Sequence, residues 1–134
     1  MKRMLTGLLF VFLASNLYGA GSLDYLKFSN YQSFMKKTVE NLEKLFMEDQ
    51  VEFTGEGKKI FVAAWKICQD HQKYPDTSSS LYYLSLSTAM KALEKAAEDL
   101  DTLVYDALIK FRNPEAKAKF REAVKNIRIC HGYL

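Results

Sequence analysis

The chain has 134 residues, of which 49% are hydrophobic and 26% are charged, a balance typical of one globular domain. It contains only 6 glycines and 2 prolines, and this scarcity of turn residues argues against an all-β fold. The formal net charge of +3 is too small for a strongly basic nucleic-acid-binding protein.

The first 20 residues have the three-part pattern of a secretory signal peptide. Lys2 and Arg3 precede an apolar run at 5–17, and small residues follow at 19–22. The run is shorter than the roughly 20 apolar residues that span a bilayer. We therefore expect residues 1–20 to be a signal peptide, and residues 21–134 to be a single secreted domain without a stable membrane anchor. Removing Lys2 and Arg3 lowers the net charge from +3 to +1, so no nucleic-acid partner is expected.

Four amphipathic segments follow in chain order. Apolar side chains at steps of three and four predict a first helix over 29–48 and a second over 56–71, followed by a loop at 72–80. Asn113 and Pro114 form a typical helix start and predict a last helix over 114–130.

Between them, a heptad repeat predicts a third helix over 81–112. Its apolar seam comprises Leu86, Met90, Leu93, Ala97, Leu100, Val104, Ala107 and Phe111. This helix would be about twice as long as its neighbours, so it either protrudes or bends. Hydroxyl side chains at 85–88 favour a break or bend there.

Cys68 and Cys130 are the two cysteines of the chain. An even cysteine count in a secreted protein favours a disulfide, with two free buried thiols as the alternative. Both residues lie near the ends of helices that point the same way in an up-down-up-down bundle. The sequence therefore predicts an all-α fold, a compact bundle of about four to five helices with one disulfide.

Residue patterns for catalysis or metal binding are weak. His71 and His131 lie near the cysteines and suggest a zinc site, but adjacent helical residues such as Cys130 and His131 point about 100° apart. The acidic pairs Glu48/Asp49 and Glu98/Asp99 are typical of a solvated face. We therefore expect no enzyme activity, no metal and no cofactor.

Three candidate partner-binding surfaces remain. Trp65 lies beside the apolar stripe of the second helix, where aromatic side chains often anchor interfaces. Tyr74, Tyr82 and Tyr83 surround the loop before the third helix. Lysines and arginines line the outer face of the fourth helix. The alternatives are that Trp65 packs on a neighbouring element, that the loop is an ordinary connector, and that the basic face is only solvated.

With its signal peptide, short mature chain, about four helices and sparse cysteines, the protein resembles the small helical salivary proteins of anopheline mosquitoes, of the anophensin and albicin type. The resemblance is one of architecture and carries no functional residue. It implies a secreted inhibitor of a host protein pathway, either complement or contact activation and coagulation. The alternative is a carrier of a small apolar or lipid ligand within the bundle.

Overall fold

The computed structural model describes the backbone of residues 20–134 and the side chains from Tyr25 onward. The predicted signal peptide therefore lies outside the described residues, apart from Ala20. The chain divides into two compact units, Met1–Asn30 and Tyr31–Leu134. Within the described part, no helix is long and apolar enough to cross a membrane.

The described chain is mostly helical, as predicted, and it adds one short two-stranded sheet that the prediction of an all-α fold did not include. Its elements in chain order are α1 (Ala20–Met47), β1 (Val51–Phe53), α2 (Gly57–Asp70), α3 (Tyr82–Tyr105), β2 (Ile109–Phe111) and α4 (Pro114–Tyr133). The predicted bounds of α2 are confirmed to within a residue, and α4 begins at Pro114 as predicted. The Asn113 side chain caps α4 by accepting a hydrogen bond from the Ala116 amide at 2.8 Å.

Two predicted helix bounds are wrong. α1 begins at Ala20 instead of residue 29, and α3 ends at Tyr105 instead of residue 112. α3 ends because Ala107 adopts a left-handed conformation with φ 55°, and the Leu108 amide then donates to the Leu103 carbonyl at 2.8 Å. The predicted break at 85–88 is also wrong, since the Thr88 hydroxyl donates to the Leu84 carbonyl within a continuous helix.

The core of the Tyr31–Leu134 unit is formed by one stripe from each helix. On α3 the stripe includes Leu93, Leu100 and Leu103, whereas Val104 of the predicted seam is 45% exposed. α1 and α4 are antiparallel, because the Cys130 thiol donates to the Tyr31 carbonyl while Lys37 pairs with Glu122 farther along. The fully buried residues shared between helices include Tyr31, Met35, Leu42, Leu45, Phe61, Phe120 and Ile127.

An antiparallel ribbon, formed by β1 and β2, joins the α1–α2 loop to the α3–α4 loop. Val51 lies opposite Phe111, and Phe53 lies opposite Ile109. Each strand has only three residues, too few for an alternating pattern to be visible in the sequence. The ribbon therefore fixes two connections that are distant in the chain against each other.

The ribbon relates two halves of the chain that repeat each other. When 58 is added to the residue numbers of the first half, the last residue of α1 corresponds to the last residue of α3, and β1 corresponds to β2. Seven buried core positions match at this spacing: Tyr31/Ala89, Met35/Leu93, Thr38/Ala96, Val39/Ala97, Leu42/Leu100, Leu45/Leu103 and Val51/Ile109. Such a fixed period is the signature of an internal duplication.

The hydrogen bonds of the two loops repeat with the same period. The Thr54 amide donates to the Leu108 carbonyl at 3.0 Å, and the Arg112 amide donates to the Gln50 carbonyl at 3.0 Å. Side chains do the same, since the Thr54 hydroxyl donates to the Ala107 carbonyl and the Arg112 Nε donates to the Asp49 carbonyl. The two halves therefore meet around a pseudo-two-fold axis through the ribbon.

The aromatic contacts behind the ribbon repeat as well. Phe53 packs on Phe61 with ring centroids 5.2 Å apart, and Phe111 packs on Phe120 at the same 5.2 Å. On the helices that follow, the matching period is 59, since Phe61 lies eight residues after Phe53 and Phe120 lies nine residues after Phe111. Each half thus packs its strand on its own second helix in the same way.

Gly57 provides the close approach between the two loops. A Cβ added at Gly57 would lie 2.3 Å from the backbone oxygen of Leu108, whereas one added at Gly132 would meet nothing within 4 Å. We expect Gly57→Ala to lower the free energy of unfolding by about 1–3 kcal/mol, because this overlap separates the loops. Urea denaturation measures the loss. An equal effect of the control substitution Gly132→Ala would contradict this explanation.

Ala107 is strained, because a non-glycine residue in the left-handed region costs roughly 1–2 kcal/mol. We expect Ala107→Gly to raise the free energy of unfolding by about 0.5–1 kcal/mol, since the relief exceeds the added entropy of the unfolded chain. The matched control is Ala118→Gly, within helix α4, which should lower stability by about 1 kcal/mol. Thermal melts of both variants should therefore shift in opposite directions.

Candidate functional site

The connection between α2 and α3 is an ordered series of tight turns. The Asp76 carboxylate accepts hydrogen bonds from the Ser78 amide at 3.0 Å and the Ser78 hydroxyl at 2.7 Å. These bonds lower the pKa of Asp76. The Ser79 hydroxyl then accepts from the Leu81 amide at the entrance to α3. Local side-chain bonds therefore hold this loop in one conformation.

Two tyrosines anchor the beginning of this connection in the core. The Tyr31 hydroxyl donates to the His71 carbonyl at 2.7 Å, and the Tyr74 hydroxyl donates to the Tyr133 carbonyl at 3.1 Å. Their rings meet edge to face, with centroids 5.4 Å apart. Tyr74 was a candidate surface residue, but the structure buries it and gives it the role of an anchor.

A surface cleft of about 320 Å³ lies between this connection and the first turns of α3. We call it the linker groove. Its lining is mixed, with apolar side chains, the Ser85 and Thr88 hydroxyls and the positive charge of Lys73. The residues that line the linker groove include His71, Lys73, Pro75, Leu81, Leu84 and Ala89.

The first turn of α3, whose Leu81 and Leu84 line the linker groove, exposes large apolar side chains. Leu81, Tyr83 and Leu84 are 61%, 81% and 64% exposed, and the Tyr83 ring packs on that of Tyr82 at 5.4 Å. Leu81 occupies the N-cap of α3 and makes no side-chain capping bond there, where serine, threonine, aspartate or asparagine is preferred. The fold explains neither the exposed apolar side chains nor the leucine at the N-cap, so these residues point to a binding surface.

The predicted residues Tyr82 and Tyr83 lie on this first turn of α3 between Leu81 and Leu84, and the two leucines line the linker groove whereas the two tyrosines do not. The sequence predicts a helix from residue 81 onward but assigns no role to Leu81 or Leu84. Their signal was an apolar cluster outside the buried stripe of α3, beginning at the N-cap. A polar cleft of about 490 Å³ adjoins the groove and shares Lys73 with it, and its lining also includes Lys36 and Asp70.

The other predicted anchor, Trp65, lies at a different place. It is partly buried on α2, and its indole N–H lies beneath the surface with no hydrogen-bond partner among the described residues. Its counterpart in the second half is Val124, which is buried. Much of the Trp65 ring therefore packs within the fold, and Trp65 is not among the residues that line the linker groove.

The basic outer face of α4 is exposed and partly neutralised. Arg128 pairs with Asp101 of α3, and Glu122 of the same helix pairs with Lys37 of α1. The acidic pairs that the sequence showed also form surface contacts, since Asp99 pairs with Lys95 at 3.0 Å and Asp49 with Arg112 at 2.9 Å. These exposed pairs contribute little stability individually.

The two histidines lie in separate clefts. His71 lines the linker groove, whereas His131 lies beside Arg128, Glu94 and Glu98 in a cleft of about 210 Å³ between α3 and α4. Among the described residues, no group of three metal-ligating side chains comes together.

The predicted disulfide between Cys68 and Cys130 is not supported by the structure. Both cysteines are free and buried, and they are not close enough to bond. The Cys130 thiol instead donates to the Tyr31 carbonyl at 3.5 Å. Burial raises the pKa of both thiols to about 12, with a further contribution from Cys130 at Cys68. They are packed as small apolar groups.

No family model, curated protein or solved structure matches this chain.

The buried thiols predict how the protein reacts and how its stability depends on pH. A folded-state pKa of about 12, against an ordinary 9.0, means that each thiol stabilises the fold fully below about pH 9. That contribution is lost as the pH rises from about 9 towards about 12. We expect urea midpoints to fall in this range, and to fall less in Cys68→Ala.

The same thiols should be inert towards Ellman's reagent near neutral pH until the chain is unfolded, because the reactive thiolate is absent and shielded. Reducing agent should leave the melting temperature unchanged. A melting temperature that is lowered by reduction would show that a disulfide forms after all. So would a mass of the oxidised protein that is lower by two hydrogen atoms.

Proposed function

We propose that this chain is a secreted, non-enzymatic binding protein that takes a protein partner at the linker groove. The observation that carries the proposal is the exposed apolar cluster of Leu81, Tyr83 and Leu84 on the first turn of α3, which begins with a leucine at an N-cap position where leucine is unfavourable. Tyrosine is enriched among the residues that contribute most to protein interfaces, and exposed apolar side chains that cluster on a surface mark interaction sites.

The preorganisation of the groove supports this function. Tyr31 and Tyr74 fix the backbone of residues 71–74 from below, and Asp76 and Ser79 fix the turns that follow. A rigid surface loses little conformational entropy when a partner binds. Secretion, which the N-terminal pattern predicts, would place this surface in contact with extracellular proteins.

A carrier of a small apolar ligand is the second candidate function. It would need an apolar cavity, and the cleft of about 490 Å³ is lined by glutamine, lysine and aspartate side chains. The linker groove is open and mixed in polarity, which suits a protein side chain better than a wholly apolar ligand. The core positions of all four helices are filled by buried side chains.

The resemblance to mosquito salivary proteins adds a target to this proposal, namely host complement or contact activation. The tyrosines of the chain offer a matched pair of variants for testing it. Tyr83 in the first turn of α3 is 81% exposed, and Tyr105 at the last residue of α3 is 91% exposed. We expect Tyr83→Ser combined with Leu84→Ser to reduce inhibition in plasma complement or clotting assays at least tenfold. Tyr105→Ser should inhibit like the unchanged protein.

Circular dichroism and thermal melts should be the same for all three proteins, because both sites are exposed. Native mass spectrometry of the purified chain should give the mass of protein alone. A retained lipid would favour the carrier. Equal inhibition by both variants, or none by the unchanged protein in either pathway, would contradict the proposal.

A further inference from the structure

The internal duplication extends beyond the core, to the exposed start of each half. At the period of 58, ten residues are identical between 22–53 and 80–111. They are Ser22/Ser80, Leu23/Leu81, Tyr25/Tyr83, Leu26/Leu84, Ser29/Ser87, Lys37/Lys95, Glu40/Glu98, Leu42/Leu100, Leu45/Leu103 and Phe53/Phe111. Half of them fall within one short motif, Ser-Leu-x-Tyr-Leu-x-x-Ser, which lies near the start of α1 and of α3.

The identical residues fall into three groups, of which the fold explains two. Leu42/Leu100 and Leu45/Leu103 are fully buried, so the core retains them. Polar identities such as Glu40/Glu98 suit any exposed helical position. The Tyr–Leu pair fits neither explanation, because Tyr25 and Leu26 are 72% and 54% exposed in the first half, and Tyr83 and Leu84 are equally prominent in the second.

Two copies of a duplicated segment diverge where nothing constrains them. Exposed neighbours have done so, since Ser33 corresponds to Lys91 and Lys44 to Thr102, and all four are exposed. A large apolar pair that stays both exposed and identical is therefore retained for something outside the fold. Its retention in both halves implies that both copies are used.

We propose that the chain is bivalent, with the Tyr25–Leu26 pair and the Tyr83–Leu84 pair binding the same kind of partner. This inference rests on the proposed function and adds its valency and the chemistry of its partner. The partner is a protein segment that presents apolar side chains next to carboxylates.

The positive charge of the linker groove predicts a partner segment with negative charge. Lys73 and His71 line it, and none of its described lining residues is acidic. Lys36 contributes a second positive charge to the adjoining cleft, where Asp70 is the one acidic side chain of the lining. At the first copy, Lys27 follows the Tyr–Leu pair directly. Apolar contact with a cationic border complements an acidic amphipathic segment.

The concave form of the groove favours a protein segment over a membrane surface. A cleft of about 320 Å³ behind Leu81 and Leu84 can receive side chains of a partner. Insertion into a bilayer uses protruding apolar side chains on a convex surface rich in lysine or arginine. Two copies on one chain would increase the apparent affinity for a partner that repeats its own epitope.

The test uses the purified full chain and a random dodecapeptide phage library. Selected peptides should combine leucine, isoleucine or phenylalanine with aspartate or glutamate. When synthesised and titrated by calorimetry, they should bind the unchanged protein at two peptides per chain. Tyr25→Ser/Leu26→Ser and Tyr83→Ser/Leu84→Ser should each bind one, and the combination of all four should bind none.

Tyr105→Ser is the matched control and should bind two peptides. Binding of one peptide per chain, lost only with the Tyr83 and Leu84 changes, would overturn bivalence and leave the proposed function standing. Selection of lysine- and arginine-rich peptides, or of none, would overturn the partner chemistry. Binding to vesicles of phosphatidylcholine with phosphatidylglycerol, lost in the same variants, would replace the protein segment by a membrane.

Discussion

The pairing of two three-residue strands is the constraint on which the rest of the fold depends. Each loop donates one backbone amide to the other, from Thr54 and from Arg112, and each also donates one side chain. These bonds join residues that are 53 to 63 positions apart in the chain. They fix the ends of α1 and α3 side by side, and the aromatic pairs Phe53–Phe61 and Phe111–Phe120 then fix the helices that follow.

The hydrogen bonds exchanged between the equivalent loops explain why two residues that are not glycine adopt a strained backbone conformation. Asp49 and Ala107, equivalent by the repeat, both have φ 55° and both offer their carbonyl to a side chain of the opposite loop. Neither is glycine, so the strain is balanced by the bonds that the left-handed conformation makes available. The same end of the molecule contains Gly57, which has no room for a Cβ because Leu108 lies so close.

Local signals predicted part of this fold well. Asn113 and Pro114 give the start of α4, since a cap and a fixed φ act within one turn. The end of α3 was not predictable in this way, because Val104, Ala107 and Phe111 continue the heptad spacing while a non-glycine residue turns the chain. The prediction of a disulfide failed for a similar reason, since the number of cysteines gives no information about the distance between Cys68 and Cys130.

The candidate site was predicted in part. Tyr82 and Tyr83 were identified from their position beside a loop, whereas Tyr74 has the same type and neighbourhood but is buried against Tyr31. Burial of one tyrosine among three depends on long-range packing, which the sequence does not display. The duplication is different, since a comparison of the chain with itself at a spacing of 58 reveals it without a structure.

Amide hydrogen exchange of Thr54 and Arg112 tests most directly whether two equivalent halves meet at the ribbon. Their amides make the two equivalent bonds between the loops, each 3.0 Å long. If the ribbon holds the halves together, both amides exchange slowly and to a similar degree, opening only when the whole Tyr31–Leu134 unit unfolds. Exchange of either amide at the rate of an unfolded chain, or a large difference between the two, would contradict it.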